Sequence, residues 1–590
     1  MDANALHYLK NLKPKPHVHG NEMVREGIEM GRAIDVPKSS FIAQSDKYEN
    51  HMQYKLDLAK QGKIYWNILL GLATLEEQVE AIKEIYKFTQ RTGLTVQAVQ
   101  MIASGLIALP KEYRDKAPAT TSFVINGYED YKAMATAAPI DITFNDYHLF
   151  SPNAIETTTN ALRVGSPRIG DFTQFYWGYA GFDDDLQRFK DVVKSLGMVA
   201  SKRDQMICAE TYLDDGYPGY FLDCASYVGY ALLEHYICTK LCGARYVISF
   251  GGLLSENDTR CAIAMALHEL MSTEDQTVLT YLNSSTNLQW DHDIHGNYGI
   301  SVPEMLFEIL VEKKYRMALG VNPVSITEKI KVPTLDDLEN IFAAGKRAEE
   351  KAEEWLPFMD FSKLEEMRDV MVREGKIFFA NVLEGFREAG IDVEDPLELF
   401  LVLKNCNPIR FEQMFHSSTY RKGTDQIAPF YPTVLGRQTL EMRRDILDAL
   451  KAEGVSEALS GKKIVVGSGD AHTYGLVLVE GVLAEMGAEV VNAGVDVDPV
   501  DILDLADEEG TRFVGISCHN GQALDYGRQL MALAKERGRE YWVFMGGKLN
   551  AILPGDSEPT EIAHMLKDLG IHSENDISTI VKRIGALATA

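Results

Sequence analysis

Cysteine is scarce in this 590-residue chain, which has only seven, an odd number with no C-x-x-C pair. Dispersed single cysteines are typical of reduced thiols, so the sequence predicts a cytoplasmic protein rather than a disulfide-bonded secreted one. A secretion signal is also missing, because residues 1–15 are polar and contain proline. No apolar run approaches the ~18 residues that a membrane-spanning helix needs, and we therefore expect no membrane partner.

Positive charge is the second shortage. The chain has 59 Lys and Arg against 86 Asp and Glu, which gives a formal net charge of -27 at pH 7. Such an excess of negative charge is repelled by the phosphates of nucleic acids and by anionic membrane surfaces. The composition therefore excludes a nucleic-acid partner and favours a soluble protein with a small-molecule ligand.

The length predicts several domains, because roughly two to four cores are typical of a chain of this size. Residues 1–36 are mixed polar sequence and predict an N-terminal arm. Over residues 37–340, short apolar runs alternate with amphipathic helical patterns, which predicts a (β/α)8 TIM-type barrel as the substrate domain. The candidate strands are Tyr65–Gly71, Thr95–Gln100, Asp141–Asn145, Arg168–Phe172, Met206–Ala209, Tyr246–Phe250, Gln276–Tyr281 and Met317–Val321.

Three further segments follow the predicted barrel. Residues 341–416 are helical and charged and predict a helical extension, whereas residues 417–460 are punctuated by Gly and Pro and predict a linker. Residues 461–590 alternate strands and helices again, with strands at 462–466, 489–493, 512–517 and 541–545 and helices at 476–487, 499–507 and 524–537. This order predicts a doubly wound, flavodoxin-like parallel sheet with right-handed crossovers.

One loop of the last segment has the spacing D-x-H-x-x-G, formed by Asp470, His472 and Gly475 directly after a predicted strand. Open α/β sheets bind ligands at the carboxyl ends of their strands. An imidazole there, with a carboxylate two residues earlier, is laid out as a metal ligand and the group that orients it. Alone, the spacing also fits a plain doubly wound domain with a hydrogen-bonded loop histidine.

Two more loops follow strands of the same segment. Ser517, His519 and Gly521 follow the third strand, and Gly546 and Gly547 follow the fourth. Glycines let a bulky planar group approach the backbone closely. Three such loops in order favour a ligand site over chance, whereas His519 has no evident partner and is more typical of a polar loop.

These three loops resemble the signature of the cobalamin-binding domain of B12 mutases and methyltransferases. The resemblance implies that His472 coordinates cobalt in place of the cofactor's own base, and that Asp470 hydrogen-bonds the other ring nitrogen. It further implies cofactor contacts by Thr473, Gly475, Ser517, Gly521, Gly546 and Gly547. The chain departs from the family at His519, where an S-x-L pattern often places leucine, so the slot for the cofactor's tail is expected to be more polar.

In the predicted barrel, the run Glu210 to Tyr220 places acids and phenols at the carboxyl end of a strand, the catalytic face of such barrels. Arg163 lies beside a glycine turn, and arginine is the side chain best shaped to bind a substrate carboxylate. Other roles stay open: Arg163 as a surface ion-pair residue, Glu210 as a structural acid, and the tyrosines as core or rim aromatics. Asp214 and Asp215 are more typical of solvated loop acids.

Residues 40–340 resemble the large subunit of glutamate mutase. The stretch from Arg163 to Pro167 looks like the family's R-H-G-T-P, whose arginine holds a substrate carboxylate. The resemblance implies catalytic roles for Glu210, Tyr220 and Glu328, and substrate binding by Arg163, Tyr212 and Gln44. The chain departs from the family at Gln44, where the family has arginine, and at Leu335, where lysine is expected.

Together the two resemblances imply an adenosylcobalamin-dependent carbon-skeleton mutase with barrel and cobalamin domain in one chain, and they imply a homo-oligomer. The chain keeps Arg163 but has Gln44 where the family has a substrate-binding arginine. A single chain of this size with that change resembles 2-methyleneglutarate mutase. The expected substrate is therefore a small dicarboxylate, 2-methyleneglutarate, which is converted to 3-methylitaconate. Conversion of glutamate to 3-methylaspartate is the alternative. A corrinoid-dependent methyltransferase or corrinoid carrier, and a B12-sensing regulator, are alternatives of other classes.

Overall fold

The computed structural model shows two compact units, one of residues 1–417 with 429–433 and one of residues 418–428 with 434–590. The structure describes the following residues: 3–15, 18–116, 122–179, 181–284, 290–328, 333–418, 427–469, 474–493, 497–518, 523–547, 549–551, 560–573 and 576–587. Among their helices, none is both long and apolar enough to cross a membrane. All seven cysteines are buried, and none forms a disulfide.

The first unit contains a closed barrel of eight parallel strands, in which each strand pairs with the next and the eighth pairs with the first. The strands are β1 Tyr65–Leu70, β2 Ala98–Met101, β3 Asp141–Phe144, β4 Arg168–Ile169, β5 Cys208–Tyr212, β6 Arg245–Phe250, β7 Leu279–Ser284 and β8 Gly320–Pro323. Each of the eight candidate strands overlaps one of these strands. The predicted barrel is confirmed.

Eight helices follow the eight strands around the barrel. They are α4 Leu75–Thr92, α5 Tyr128–Ala135, α6 Ala154–Arg163, α7 Asp185–Ala200, α8 Cys224–His235, α9 Asn257–Met271, α10 Ile294–Tyr315 and α11 Leu335–Trp355. Helix α4 shows why they form where they do: Thr74 and Glu77 make a capping box at its start, and Gly93 ends it with a left-handed φ of 71°.

Helix α11 is the eighth helix of the barrel and was expected to lie partly in the extension. Trp66 points outward from β1, packs edge-on against Phe342 with ring centroids 5.2 Å apart, and donates from Nε1 to Glu349 at 3.0 Å. The outer face of β1 is therefore covered by α11. The predicted boundary at residue 340 cuts this helix, and the barrel continues to Trp355.

The N-terminal residues form helices that pack on the barrel rather than a free arm. They are α1 Ala3–Leu12, α2 Gly20–Arg32 and α3 His51–Lys60. Helix α2 lies so close to α7 that a Cβ at Gly27 would be 1.9 Å from the Lys194 carbonyl oxygen. The backbone N–H of Gly20 donates to Asp395 at 2.7 Å. The sequence predicted a polar arm here and did not predict this close packing, which glycine makes possible.

The predicted helical extension consists of α12 Ser362–Glu388, α13 Pro396–Asn405 and α14 Pro408–Phe415. It belongs to the barrel unit. A Cβ at Gly229 of α8 would be 2.7 Å from Phe378 of α12, so these two helices are in close contact. Farther along, His416 contacts the buried Asp223 at 2.7 Å, and this carboxylate also accepts the N–H groups of Phe430 and Tyr431.

The second unit contains a five-stranded parallel sheet in the order β10-β9-β11-β12-β15. The strands are β9 Lys463–Ser468, β10 Glu489–Asn492, β11 Phe513–Ser517, β12 Trp542–Gly546 and β15 His572–Ser573, and a small antiparallel pair consists of β13 Asn550–Ala551 and β14 Thr560–Glu561. The helices are α15 Val434–Ala452, α16 Tyr474–Glu485, α17 Pro499–Glu508, α18 Ala523–Arg537, α19 Ala563–Asp568 and α20 Ile577–Ala586. The predicted doubly wound sheet is confirmed.

Neighbouring residues of β9 are buried in different apolar clusters of this unit. Val465 packs in a cluster with Ile502 and Val514, whereas Ile464 and Val466 pack in a second cluster. This alternation is expected for a strand with helices on both faces of its sheet. Leu447 and Leu450 of α15 belong to the second cluster. The segment predicted as a linker therefore contributes a helix to the core of the second unit.

Candidate functional site

The second unit has a crevice at the point where its strand order reverses. The chain leaves β9 for β10 on one side and returns to β11 on the other, so the carboxyl ends of β9 and β11 flank the switch point where such sheets bind ligands. Ser468 ends β9 and is followed by Gly469, and Ser517 ends β11. The N–H of Gly469 and the hydroxyl of Ser468 both donate to the Ser517 carbonyl, at 2.9 and 3.3 Å.

Ser517 has a buried hydroxyl oxygen with no hydrogen-bond partner among the described residues. Polar side chains in a protein interior are normally paired, so this atom marks a place for a ligand donor or acceptor. The Tyr526 ring packs on Gly469 so closely that a Cβ there would be 2.9 Å from it, so glycine is needed at this position. Gly547 has a φ of 111°, a conformation that favours glycine.

The described part of the crevice therefore fits the tail of a bulky cofactor. Gly546 and Gly547 are partly buried beside it, and the N–H of Cys518 donates to the Gly546 carbonyl at 3.0 Å. Gly475 is partly buried in the first turn of α16. The predicted cobalt ligand His472 lies outside the described residues, as do Asp470, Thr473, His519 and Gly521, and their roles stay predictions.

The barrel interior of the first unit is polar. Side chains of a strand alternate between the two faces, and the inward positions include Asn67, Gln100, Thr143, Arg168, Glu210 and Tyr281. Arg168 Nη1 donates to Glu210 Oε1 at 2.8 Å, and Nη2 donates to Asn67 Oδ1 at 3.1 Å. Barrels of this class are usually filled by branched apolar side chains, and this one is not.

Above this layer lies a second polar layer nearer the carboxyl ends of the strands. Asn283 donates to the Tyr212 hydroxyl at 2.8 Å, and Asn322 donates to Asn283 at 2.7 Å. A Cβ at Gly251 would be 2.6 Å from the Tyr212 hydroxyl, so glycine makes room for this phenol. Burial raises the pKa of Tyr212 well above its usual range, which keeps the phenol protonated.

Several buried polar atoms of the lumen have no partner among the described residues. They include Glu210 Oε2, Asn322 Oδ1 and both amide atoms of Asn145, together with Asn67 Nδ2 and Arg168 Nε in the layer below. We call the space around them the lumen site. Because unpaired buried polar atoms cost free energy, their clustering indicates a place where a polar ligand supplies the missing partners.

The amino end of the barrel is closed by α3. Lys55 donates to the carbonyl oxygens of Leu279 and Thr280 at 2.6 and 2.5 Å. Burial, followed by the charge of Arg168, lowers the pKa of Lys55 to about 7. A ligand in the lumen therefore enters from the carboxyl ends of the strands.

Carboxyl groups follow three adjacent strands at that end. Burial and then the charge of Asp215 raise the pKa of Asp146 to about 7, and burial raises the pKa of Asp171 well above its usual range. The pKa of Asp214 is raised to about 7 by burial, and that of Asp215 to about 6. Asp214 and Asp215 were expected to be solvated. Asp214 is instead buried and accepts from Tyr227, Gly251 and Leu253, and Asp215 is partly buried.

The predicted barrel residues fall into two groups. Glu210 and Tyr212 line the lumen. Tyr220 is partly buried in the short helix Pro218–Tyr220 after β5, with its ring 6.1 Å from that of Tyr176. Glu328 is exposed after β8, on the same side of the barrel. The structure thus brings these four residues to the lumen or to the carboxyl side of the barrel.

Arg163 and Gln44 are placed at the other end. Arg163 is the exposed last residue of α6, which leads into the amino end of β4, and its guanidinium lies 3.6 Å from the centroid of the Tyr128 ring. Gln44 is exposed beside a cavity of about 450 Å³ that is also lined by Gly93, which ends α4, and by Ile140, the residue before β3. The predicted substrate contacts of Arg163 and Gln44 therefore do not lie in the lumen.

Arg168 is the lumen residue that the sequence reasoning missed. It opens a buried strand only five positions after Arg163, and its exposed fraction is 1%. A charged residue at the start of a buried barrel strand was the available signal, because such a charge needs a partner inside. No group of three or more His, Cys, Asp or Glu among the described residues is arranged to hold a metal ion.

Comparisons with known proteins address the second unit. Among solved structures, one match is the 1.5 Angstrom crystal structure of a novel cobalamin-binding protein from Desulfitobacterium hafniense DCB-2, with 25% identity and a TM-score of 0.18. The match covers 21% of this chain and 57% of that protein. No curated protein matches the chain. Residues 463–566 match the family described as B12 binding domain, so the second unit carries a B12-binding domain, which supports cobalamin as its ligand.

Proposed function

We propose that this chain is an adenosylcobalamin-dependent isomerase that rearranges the carbon skeleton of a small substrate inside the barrel. The observation that carries the proposal is the lumen site, where buried polar atoms of Asn145, Glu210 and Asn322 lack partners among the described residues. A barrel that holds a ligand in its interior, in one chain with a B12-binding domain, fits radical chemistry that must be kept from solvent.

The cofactor would be held by the loops at the ends of β9, β11 and β12. His472 would coordinate cobalt and Asp470 would orient its ring, while Ser517 and the glycines would line the slot for the tail. Thr473 and Gly521 would complete these contacts. When bound, adenosylcobalamin supplies an organic radical by breaking its cobalt–carbon bond.

The barrel residues would bind and orient the substrate. Glu210 is fixed by its ion pair with Arg168. Its second oxygen has no partner among the described residues and would accept from a ligand. Tyr212 is fixed by Asn283 and presents a protonated phenol to the upper lumen. Tyr220 and Glu328 lie on the entry side, where they would contact the substrate or the adenosyl group.

A small carboxylic acid is the substrate class we propose, with 2-methyleneglutarate or glutamate as the expected compounds. Arg168 is the arginine of the lumen among the residues that the structure describes, and a substrate carboxylate would bind it beside Glu210. The expectation of a small dicarboxylate came from the resemblance to the mutases, whereas Arg163 and Gln44, which the resemblance assigned to substrate binding, lie at the amino end of the barrel. We also expect a homo-oligomer, which sedimentation velocity measures directly.

The methyltransferase alternative gains no support from the helices between barrel and second unit. Such enzymes would need a helical cap on the cobalamin domain, and residues 335–416 were the candidates. Helix α11 covers β1 of the barrel, and α12 packs on α8 and α9. These helices belong to the first unit.

Electron paramagnetic resonance tests the proposal. The purified full chain is loaded with adenosylcobalamin, mixed without oxygen with 2-methyleneglutarate, glutamate or related acids, and frozen. A substrate-dependent signal of paramagnetic cobalt coupled to an organic radical is the expected result. Methyl transfer from methylcobalamin, with no radical signal for any acid, would refute the mutase.

The cobalt ligand has its own test. His472→Ala is expected to remove the absorption spectrum of histidine-ligated cobalamin and to weaken cobalamin binding. His564→Ala is the matched control, because His564 is exposed on α19 of the same unit. An unchanged spectrum in His472→Ala would refute the assignment.

A further inference from the structure

A small cavity lies at the amino end of the barrel, between the strands and the helix α3 that closes this end. Its volume is about 10 Å³, which is room for one water molecule or one small ion. Lys55 of α3, Tyr65 of β1 and Arg168 of β4 all line it, and each of these side chains is at most 3% exposed. We call this space the floor cavity.

The three side chains bring donors that no described residue accepts. The Tyr65 hydroxyl and Arg168 Nε are buried without a partner among the described residues. Lys55 donates to the carbonyl oxygens of Leu279 and Thr280 at 2.6 and 2.5 Å, and the described structure shows no acceptor for its third N–H. Lys55 Nζ lies 5.2 Å from the centroid of the Tyr65 ring. Because ammonium and guanidinium groups only donate, the missing partner is an acceptor.

The charged groups that line the floor cavity are positive. Burial, followed by the charges of Arg168 and Lys55, lowers the pKa of His51, which also lines the cavity, to about 3. The carboxylates that act on Lys55 are Glu312 and Glu210, and neither of them lines the cavity. Glu210 is paired with Arg168, and both oxygens of Glu312 accept backbone N–H groups. Among the described residues, no carboxylate therefore faces the unpaired donors.

We propose that the floor cavity binds one monatomic anion of the size of chloride, held by Lys55, Tyr65 and Arg168. Such an ion accepts from all three groups at once, and hydrogen bonds to an ionised partner are the strong ones. The small volume excludes phosphate, sulfate and organic carboxylates. The inference goes beyond the proposed function, because the site lies at the end of the barrel opposite to the entrance of the lumen.

A buried water molecule is the competing occupant. Water that accepts from two of the donors must also donate its own protons, and buried water normally makes about three hydrogen bonds. The carbonyl oxygens of Leu279 and Thr280 already accept from Lys55. Water would also leave the buried ammonium of Lys55 without a counter-charge in the cavity, which costs free energy. The tests below therefore ask whether the occupant is a halide.

A bound anion would connect α3 to the strands of the barrel. Arg168 is shared between the two sites, because its terminal nitrogens donate to Glu210 and Asn67 in the lumen while Nε stays unpaired. The anion would tie this guanidinium to Lys55 of α3 and move the pKa of Lys55 back towards its usual value. Since the unfolded chain has no such site, the anion is expected to stabilise the first unit.

Thermal unfolding of the full chain without cofactor measures this stabilisation. Sodium chloride replaces sodium gluconate up to about 200 mM at constant ionic strength, so that general screening does not change. The unfolding midpoint of the first unit is expected to rise by about 2 °C or more and to level off as the site fills. Bromide should act as chloride does. Equal midpoints in gluconate, chloride and bromide would overturn the inference.

Two variants assign the chloride effect to the floor cavity. Lys55→Met removes the ammonium and should abolish the dependence on chloride. Tyr65→Phe keeps the ring and removes one unpaired hydroxyl, so it should fold normally and need about 3- to 10-fold more chloride for half of the effect. Lys314→Met and Tyr86→Phe, both outside the cavity, are the matched controls and should respond as the wild type does. An unchanged response in both cavity variants would contradict the assignment.

Diffraction locates the ion directly. Crystals of the full chain grown in sodium bromide, measured at the bromine absorption edge, are expected to show an anomalous peak within hydrogen-bond distance of Lys55 Nζ, Tyr65 Oη and Arg168 Nε. Density at this place without an anomalous signal would identify a water molecule and overturn the inference.

Discussion

Arg168 of β4 and Glu210 of β5 form an ion pair of 2.8 Å inside the barrel, and both side chains are buried. Burial removes the hydration of both charges, so each depends on the other and on the neutral groups around it. Asn67 and Thr143 accept from the second terminal nitrogen of Arg168, at 3.1 and 3.4 Å. The ion pair thus contributes to the stability of the barrel and also holds Glu210 in position at the base of the lumen site.

Removing one member of this pair is expected to destabilise the barrel strongly. Arg168→Met leaves the Glu210 carboxylate buried without its cation, and such a loss costs about 3–5 kcal/mol. Chemical denaturation that follows the transition of the first unit measures the change in the free energy of unfolding. Arg347→Met is the control, because Arg347 pairs with Glu350 on the surface, where a pair contributes about 1 kcal/mol or less.

A double variant shows whether the pair accounts for the loss. Arg168→Met with Glu210→Met removes both charges and leaves none unpaired, so it should be clearly more stable than the sum of the two single losses predicts. Losses that simply add would contradict the coupling of Arg168 and Glu210.

Lys55 is expected to make barrel stability depend on pH. Its pKa is about 7 in the folded chain and 10.5 at its usual value, so between these two pH values the unfolded chain holds a proton that the folded chain has lost. Stability rises with pH wherever the unfolded state binds more protons. Lys55 therefore destabilises the fold most near and below pH 7, and this effect fades as pH rises towards 10.5.

The measurement is the difference in the free energy of unfolding between the wild type and Lys55→Met. This difference should shift in favour of the wild type by about 3 kcal/mol between pH 7 and 9.5. Lys314→Met, at an exposed position of α10, serves as the control and should show no comparable shift. A constant difference for Lys55→Met would contradict the lowered pKa.

The barrel could be predicted from the sequence because its signals are local. Each strand is a short apolar run between amphipathic helices, as at Tyr65–Leu70 before α4. The order of the elements determines at which end of the barrel a loop residue lies, and it places Arg163, the last residue of α6, at the amino end. Arg163 ends a helix, whereas Arg168 begins the next strand. The resemblance of residues 163–167 to the R-H-G-T-P motif could not show which of the two arginines lies in the lumen.

Contacts between distant segments could not be predicted. The glycines of α2 have no local signature, since they are needed only because α7 lies against them. The B12 loops were found from three short motifs, but the free hydroxyl of Ser517 appears only when β9, β11 and β12 are side by side. Asp146, Asp171 and Asp215 likewise lie at one end of the barrel only because β3, β4 and β5 are neighbours there.

Gly27 is expected to be essential for docking α2. In Gly27→Ala the new Cβ would be 1.9 Å from the Lys194 carbonyl oxygen, a backbone atom that cannot rotate away. Forced overpacking of this kind costs about 1–3 kcal/mol or more. Thermal unfolding measures the loss. Gly299→Ala is the control, since it lies in the exposed part of α10 with nothing within 4 Å, and alanine there should be neutral or stabilising.

Ser517 allows a test in which stability and binding change in opposite directions. In the cofactor-free chain, its buried hydroxyl has no partner among the described residues, so Ser517→Ala should leave the free energy of unfolding unchanged or slightly higher. If the hydroxyl contacts bound cobalamin, the same change removes one hydrogen bond, worth about 0.5–1.5 kcal/mol, and weakens binding by about 3- to 10-fold.

Ser573→Ala separates these two effects, because the Ser573 hydroxyl donates to the Ala563 carbonyl at 2.6 Å. This control should lose stability and keep its cobalamin affinity. Titration with cobalamin followed by absorbance gives the affinities, and denaturation of the cofactor-free chain gives the stabilities. If the Ser517 hydroxyl stabilised the fold, its removal would instead lower the free energy of unfolding and leave the cobalamin affinity unchanged. The signs of these two changes therefore decide whether Ser517 stabilises the fold or binds the cofactor.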